Sequence, residues 1–338
     1  IQYQISMEPS RMNNPDARPL PLNGIRVVEF CQTIMGPCAG LILADLGADV
    51  IKVEPAPAGD KTRKLLGFAA GFFGAFNRNK RGFAIDLKSD EGRAVALRLI
   101  ETADVVIENY APGTVEKLGV GYDDCKRINP RIVYCSLKGF LSGPYENRPA
   151  LDEVVQYMAG LAYMTGPPGR PLRAGSSVID IMGGTFAVVG IQAALRERES
   201  TGEGQFVKSA LFESTAFLMM QHMIGSAVTH APSPPMPGRV GAWGIYETFA
   251  TADGEMIFIG ITSDNHWRWF CERFDRQDLL EDPTLATNEG RVRERARTLP
   301  IVADIMKRFT RAEMSQICEE IKIPFAPVAK PEDLTDDP

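Results

Sequence analysis

The sequence predicts an α/β protein with a parallel sheet covered by helices and a smaller α+β part after it. From residue 24 onward, short β-rich runs alternate with longer helical ones, which is typical of a parallel sheet with helices on its faces. The length of 338 residues favours two compact parts over one core. The alternation stops at the Pro-rich segment 230–239, so we expect the boundary there.

The elements of the first part follow from short apolar runs and helical periodicity. Ligands of such sheets bind beyond the carboxyl ends of the strands, so residues after each strand are candidates for a site. Strands are predicted at 24–30, 49–54, 80–88, 104–109 and 131–137, with helices at 38–47 and 89–103.

The second part has a different pattern. Residues 245–261 read as a hairpin around Asp253-Gly254, and helices at roughly 286–308 and 311–321 precede a short strand in PFAPVA. The sequence predicts a tail at 1–21 that is disordered or not native to the protein. A large domain follows at 22–229, then a Pro/Gly-rich linker at 230–244 and a small domain at 245–338.

Composition narrows the function classes. A net charge of -6 gives no support for a nucleic-acid partner, although local basic residues leave a small anionic ligand open. We see no apolar run of membrane-span length and no secretory leader, so we expect a cytoplasmic protein with no membrane partner. Six scattered cysteines and three histidines form no metal-binding pattern, which predicts buried, reduced thiols and no metal site.

A single carboxylate, Asp180, lies in the apolar stretch SSVIDIMGGTFAVVGIQAAL. An Asp at a helix start can be simply an N-cap, whose hydrogen bonds and helix dipole keep it ionised. The same ionised, poorly solvated group is also a competent nucleophile, and Gly183 and Gly184 would let a substrate approach. Both interpretations stay open on these residues alone.

Basic residues near strand ends form a second candidate site. Either they are solvated surface charges or they bind an anionic ligand, and Asn109-Tyr110 could add contacts to a base or ribose. The first strand-to-helix turn lacks the G-x-G-x-x-G fingerprint of nicotinamide and flavin proteins. The basic set is Lys80, Arg81, Lys88, Lys117 and Lys138.

Two further acid-base candidates are weaker. Asp152 precedes a helix, where an exposed acid is common. His222, His230 and His266 lie near no motif, and the chain has no G-x-S-x-G nucleophile elbow for a Ser-His-Asp triad.

Several motifs in order resemble the class III CoA-transferases, the formyl-CoA transferase and carnitine-CoA transferase type of the CaiB/BaiF superfamily. The resemblance runs from about residue 22 to the end, and the set of motifs is specific although no single motif is. The motifs are GIRVVEF, MGPCAG, LADLGADVIKVEP, FNRNKRGFAIDLKSDEGR, ADVVIENYAPGTVEKLGVGYDD, INPRIVYCSLKGF, SSVIDIMGG and RESTGEGQFV.

The resemblance implies a Rossmann-like large domain, a smaller domain and a homodimer of two interlocked chains. It implies that Asp180 is the catalytic nucleophile, that coenzyme A or acyl-CoA is the substrate with no permanently bound cofactor, and that a small carboxylic acid, dicarboxylic by preference, is the partner. The CoA-contacting positions that it implies are Ile34, Met35, Ile85, Lys88, Asn109, Tyr110, Ala111, Lys117 and Lys138.

The chain departs from the family pattern at several points. Pro55 replaces a basic residue that some members carry, the segment PMPGRVGAWG lacks a clear glycine-rich lid, and the sequence ends at LTDDP, short of the family's usual C-terminal return segment. Leu151 replaces the histidine of the racemase branch, which favours transfer over two-base proton exchange. An α-methylacyl-CoA racemase, a non-catalytic CoA-binding protein and a nicotinamide oxidoreductase remain alternatives.

Overall fold

The computed structural model describes residues 19–239 and 241–337. The chain divides into two compact units between Gly238 and Arg239, inside the predicted linker segment 230–244. Residues 1–18 of the predicted tail lie outside the described part.

The first unit is built on one six-stranded sheet in which every neighbouring pair is parallel. The spatial order is β3-β2-β1-β4-β5-β6, so the direction of winding reverses between β1 and β4. This order is the doubly wound Rossmann order, and its reversal point opens a crevice at the carboxyl ends of the strands. The strands are β1 (Arg26–Phe30), β2 (Asp49–Pro55), β3 (Arg81–Ile85), β4 (Val105–Glu108), β5 (Val133–Lys138) and β6 (Phe206–Ala210).

Helices cover both faces of this sheet because side chains alternate along its buried strands. Val27 of β1 belongs to the core cluster under helices α1 and α8, whereas its neighbour Val28 belongs to the cluster under α3 and α5. The helices of this unit are α1 (Met35–Asp45), α2 (Phe72–Asn77), α3 (Asp90–Glu101), α4 (Thr114–Lys117), α5 (Tyr122–Ile128), α6 (Asp152–Met158), α7 (Leu161–Thr165), α8 (Val178–Thr201) and α9 (Leu211–Thr229).

Helices α1 and α8 pack closely at two glycines, against the backbone of α1 at Gly184 and against the Met35 side chain at Gly183. A Cβ on Gly183 would lie 2.5 Å from Cε of Met35, and a Cβ on Gly184 would lie 2.6 Å from the carbonyl oxygen of Met35 and 3.1 Å from Cβ of Cys38. The expectation that these glycines leave space for a substrate is therefore wrong. Both are buried, and their missing side chains let the two helices approach each other.

Replacing Gly184 by Ala should destabilise the protein by about 1–3 kcal/mol, because the added methyl overlaps backbone atoms that cannot rotate away. The matched control is Gly225→Ala in α9, where nothing lies within 4 Å of the added atom. There we expect a gain of about 0.5–1 kcal/mol from helix propensity. Urea unfolding of both variants measures the difference, and equal effects would contradict the close-contact account.

A cluster of buried charges lies beneath α1, with members from β1, from the middle of β2 and from the segments between β2 and β3. Nζ of Lys52 lies 3.1 Å from Oε1 of Glu29 and 2.9 Å from Oδ2 of Asp60, and Nζ of Lys80 lies 2.7 Å from Oε2 of Glu29. A Cβ on Gly40 would lie 1.9 Å from the Glu29 carboxylate, so the helix passes directly over it. We call these four charged residues the buried ion cluster. Lys80 is thus engaged inside the protein and is not a solvated candidate for an external anion.

The second unit has an antiparallel sheet of three strands in the order β7-β8-β9, with its own core of apolar side chains. The predicted hairpin is confirmed as β7 and β8. The predicted helix 286–308 is wrong in its length, since the backbone leaves the helical region at Glu294 (φ -87°, ψ 12°) and two helices result. The elements are β7 (Ile245–Ala250), β8 (Met256–Ile261), β9 (Phe325–Pro327), α10 (Asp264–Arg273), α11 (Gln277–Leu280), α12 (Asn288–Arg293), α13 (Arg295–Met306) and α14 (Arg311–Glu320).

Helix α8 is long and apolar enough to cross a membrane, judged by length and composition within the described residues. The expectation that no apolar run reaches such a length is therefore wrong for this helix. Its buried face packs on α1 and on the sheet, as in a core helix. The six cysteines are all free and buried, as predicted.

Candidate active site

Asp180 lines a cavity of about 410 Å³ at the carboxyl ends of the central strands. The cavity is bounded by the turn after β1, the segment after β4 and the loop between β5 and α6, which is where a doubly wound sheet binds its ligand. Six of the ten site residues predicted from the sequence meet here. They are Met35, Asn109, Tyr110, Ala111, Lys138 and Asp180.

The carboxylate of Asp180 is not a helix cap. Asp180 is the third residue of α8, and the N-cap residue Ser177 makes no side-chain cap hydrogen bond. Instead, Oδ2 of Asp152 accepts hydrogen bonds from the backbone N–H groups of Ile179 (2.8 Å) and Asp180 (3.0 Å). The capping interpretation of Asp180 is therefore wrong, because a residue from α6 satisfies the amides of this helix end.

Asp152 is buried rather than exposed, contrary to the sequence expectation. Its Oδ1 accepts a hydrogen bond from the side chain of Gln156, and Nη2 of Arg173 lies 3.9 Å from the same oxygen. Gln156 in turn accepts a hydrogen bond of 2.8 Å from the backbone N–H of Ala174. Both oxygens of the Asp152 carboxylate are thus held by hydrogen bonds, and the carboxylate in turn fixes the orientation of the first turn of α8.

The site raises the pKa of Asp180 from its usual value near 3.8 to about 7. Burial is the main cause, because it removes water from the charged form, and the negative charge of Asp152 adds to it. Arg173 acts in the opposite direction. The carboxylate is consequently not held ionised by a cap, and its protonation changes near neutral pH.

A raised pKa in the folded state predicts a pH-dependent stability cost. Between about pH 4 and pH 7 the folded protein keeps a proton on Asp180 that the unfolded chain has lost. The contribution of this proton to the free energy of unfolding is therefore complete below about pH 4, and it is lost as the pH rises through 7. Asp180→Asn removes the cost of the buried charge. We expect the variant to exceed the wild type by about 2–4 kcal/mol at pH 8.

The measurement is urea unfolding of both proteins at pH 4 and pH 8. At pH 4 the two stabilities should converge, because Asp180 is then neutral in the folded wild type. A difference that is the same at both pH values would contradict the raised pKa.

Polar side chains connect the strand ends that form the cavity. Asn109 accepts a hydrogen bond of 2.8 Å from the backbone N–H of Gln32 and donates one of 2.7 Å to its carbonyl, which ties β4 to the turn after β1. Nζ of Lys138 lies 2.8 and 2.7 Å from the two carboxylate oxygens of Glu108 and donates to the carbonyl of Tyr110 at 2.7 Å. Lys138 therefore reaches the cavity with a charge that Glu108 already balances.

The remaining predicted site residues do not line this cavity. Ile34 and Ile85 are buried apolar side chains. Lys88 is exposed beyond β3, and Lys117 lines a separate open cavity beside Arg93 and Arg127. Their predicted contacts with coenzyme A remain predictions.

The sequence predicts Asp152 only as an exposed acid at a helix start, not as the cap of α8, and it does not indicate Arg148 at all. Asp152 had a usable signal, since Gln156 follows one helical turn later and could be expected to share its environment. Arg148 lines the cavity with Asp180 and lies in the loop after β5, at the sheet edge where ligands were expected. None of the three histidines lines this cavity, and within residues 19–239 and 241–337 no three His, Cys, Asp or Glu side chains form a metal-binding group.

The sequence and the fold are similar to proteins of one family. The family model for CoA-transferase family III matches residues 22–338. Succinate–glutarate CoA-transferase of Agrobacterium fabrum is 34% identical over 96% of this chain and 84% of that enzyme. Succinyl-CoA:mesaconate CoA-transferase of Haloarcula hispanica is 34% identical over 94% and 82%. The crystal structure of a CAIB/BAIF family protein from Brucella suis superimposes with a TM-score of 0.86 at 34% identity, covering 95% of this chain and 87% of that one.

Proposed function

This chain belongs to CoA-transferase family III, and from that premise we propose that it transfers coenzyme A from an acyl-CoA to a carboxylic acid through a covalent intermediate on Asp180. Its similarity to CoA-transferases over almost its whole length supports the overall reaction. The observation that carries the role of Asp180 is its carboxylate in the cavity at the reversal point of the sheet. A dicarboxylic acid is the proposed acceptor class, since the relatives named above act on such acids.

In the proposed sequence, an oxygen of Asp180 attacks the thioester carbonyl of the donor and expels the CoA thiolate, which leaves an acyl-aspartyl anhydride. The thiolate then attacks the aspartyl carbonyl of the anhydride, which releases the donor acid and forms an aspartyl-CoA thioester. The acceptor carboxylate repeats both steps in reverse, and Asp180 returns as a carboxylate. Covalent catalysis replaces one difficult exchange by easier steps of this kind.

The surroundings of Asp180 suit this chemistry. Partial burial weakens the hydration of the carboxylate, which leaves it more reactive once it is ionised, and it restricts the water that would hydrolyse an anhydride. The hydrogen bonds from the backbone N–H groups of Ile179 and Asp180 to Asp152 fix the helix turn that carries the nucleophile. A fixed nucleophile loses less entropy on the way to the transition state.

The rate of transfer should depend on pH through the nucleophile. Only the ionised carboxylate attacks, so kcat/KM for the acyl-CoA donor should fall about tenfold for each pH unit below about 7 and level off above it. Steady-state assays between pH 5 and 8.5 at constant ionic strength measure the profile. An inflection near pH 4 would show that Asp180 is not perturbed in the reacting enzyme.

Coenzyme A is treated as a substrate and not as a resident group. We propose that its phosphates contact basic residues beyond the strand ends, with Lys88 and Lys117 as candidates because both are exposed and neither forms an ion pair within the described residues. Lysine serves such contacts as a point charge.

A homodimer is part of the proposal. Large apolar side chains stand exposed on helices α6 to α9, and contiguous exposed apolar surface is typical of an interface. A second copy is the proposed occupant, in agreement with the interlocked dimer that the family resemblance implies. The exposed residues include Tyr157, Tyr163, Val189, Phe217, Met220, Met223, Ile224 and Val228.

The decisive experiment traps the intermediate. The protein is incubated with acetyl-CoA or succinyl-CoA, quenched with hydroxylamine or borohydride, and mapped by peptide mass spectrometry. We expect a hydroxamate or a reduced residue at Asp180 alone. Retention of CoA without modification would indicate a binding protein, and deuterium exchange at the α-carbon of a 2-methylacyl-CoA without any acceptor acid would indicate a racemase.

A further inference from the structure

The cavity around Asp180 is lined by two cations that differ in how their charges are balanced. Lys138 is held by both oxygens of Glu108, which is itself buried. Arg148 also lines the cavity, and its guanidinium forms no ion pair with any residue of the described part of the chain. Arg148 is therefore the lining cation whose charge is available to a ligand.

The one other acid that lines this cavity does not balance Arg148. Glu146 accepts a hydrogen bond of 3.1 Å from Ser142 and lies 3.4 Å from Nζ of Lys208, so it is directed to a different cation. Arg148 stands two residues further along the same loop, between Asn147 and Pro149.

The loop holds the exposed Arg148 near the ring of Tyr145, which is also exposed. The backbone N–H of Arg148 donates a hydrogen bond of 2.8 Å to the carbonyl of Tyr145, and its guanidinium carbon lies 5.7 Å from the centroid of the Tyr145 ring. That ring packs on Phe140, with centroids 5.6 Å apart. A guanidinium within about 6 Å of an aromatic ring is attracted to the ring, and its N–H donors remain available to a planar acceptor such as a carboxylate.

We propose that Arg148 binds the second carboxylate of a dicarboxylic acid whose first carboxylate reacts at Asp180. This inference rests on the proposed function and adds the residue that selects the acceptor class. A dianion that approaches the acidic pair Asp180 and Asp152 needs a compensating cation, and the guanidinium matches a carboxylate with two parallel hydrogen bonds. A volume of about 410 Å³ is that of a small-ligand site.

The test compares acceptors that differ only in the second carboxylate. Transfer from acetyl-CoA is measured to glutarate and to valerate, and to succinate and butyrate, for the wild type, Arg148→Gln and Arg148→Lys. In Arg148→Gln, kcat/KM should fall about 10- to 100-fold for the dicarboxylates and less than threefold for the monocarboxylates. For Arg148→Lys, kcat/KM for the dicarboxylates should lie between the values of the wild type and Arg148→Gln, since lysine keeps the charge but cannot form the bidentate hydrogen bonds. Arg98→Gln is the control, since Arg98 is an exposed residue of α3 that forms no ion pair with any residue at 19–239 or 241–337.

Each other outcome overturns the inference. Equal losses for all four acids would indicate that Arg148 only maintains the structure of the loop. A raised KM for acetyl-CoA would indicate that it binds a CoA phosphate. Unchanged kinetics would show that it binds nothing in the reaction. The size of the preference for glutarate over valerate is the readout that a purely structural role would not move.

A binding measurement separates this inference from the proposed function. Glutarate and valerate are titrated into Asp180→Asn and into the double variant with Arg148→Gln, with binding followed by saturation-transfer NMR. Glutarate binding that depends on Arg148 supports the inference even if the wild type transfers no CoA. Absence of such dependence refutes it even if the wild type is an active transferase.

Discussion

Asp180→Ala should reduce CoA transfer by roughly 10³-fold or more, because it removes the carboxylate that forms the proposed covalent bond to the acyl group. Binding of coenzyme A should change little, since the proposed phosphate contacts lie elsewhere. Product formation from acetyl-CoA and glutarate, together with a direct CoA titration, measures both quantities. Asp180→Asn is a poorer test of catalysis, because its amide can deamidate slowly to the wild-type residue.

The matched control is Asp123→Ala, which removes an acid from the first turn of another helix of the same unit. It should keep near wild-type activity, with at most a small loss of stability from the helix dipole. Transfer by Asp180→Ala at more than a tenth of the wild-type rate would refute the assignment of the nucleophile.

Lys52→Met should lower the free energy of unfolding by about 3–5 kcal/mol. Lys52 lies between the carboxylates of Glu29 and Asp60, and all three side chains are almost completely buried. Methionine retains most of the volume but removes the cation of the buried Asp60 carboxylate and leaves Glu29 paired with Lys80, and the loss of a buried partner is far more costly than the loss of an exposed pair. Urea unfolding at pH 7 measures the change.

Arg81→Met provides the comparison. Arg81 pairs with Asp49 on the surface, where solvent screens the interaction, and we expect a loss of less than about 1 kcal/mol. A similar small loss for both variants would mean that the buried ion cluster is solvated in the folded protein.

The sequence predicts the parallel sheet well because its strands are short apolar runs separated by clear turns and helices. All five strands predicted for the first unit are present, with borders shifted by a few residues. Strand β6 was not predicted, since Phe206–Ala210 contains Lys208 and Ser209 in so short a run. Apolar periodicity near Asp180 predicts helix α8, whereas its full length to Thr201 depends on Gly202, which ends it with φ 76°.

The site was predicted less completely because its key interactions join residues far apart in the chain. Nothing in the local sequence shows that Asp152 would cap the helix of Asp180, which lies 28 residues later. The same holds for the role of Gly183 and Gly184, which depends on how closely α1 approaches α8. Periodicity identifies which face of a helix is buried, but it does not identify the partner of that face.

The glycine contact between α1 and α8 determines which core residues can change during evolution. The helix that carries Asp180 rests on the backbone of α1 at Gly184, so the position of the Asp180 backbone relative to the sheet depends on this helix contact more than on the surrounding side chains. Neighbouring core residues can therefore be exchanged during evolution while the backbone of Asp180 keeps its position. Gly184 has no such freedom, since a single methyl group there would overlap the backbone of α1, whereas at Gly183 the overlap falls on the flexible end of the Met35 side chain.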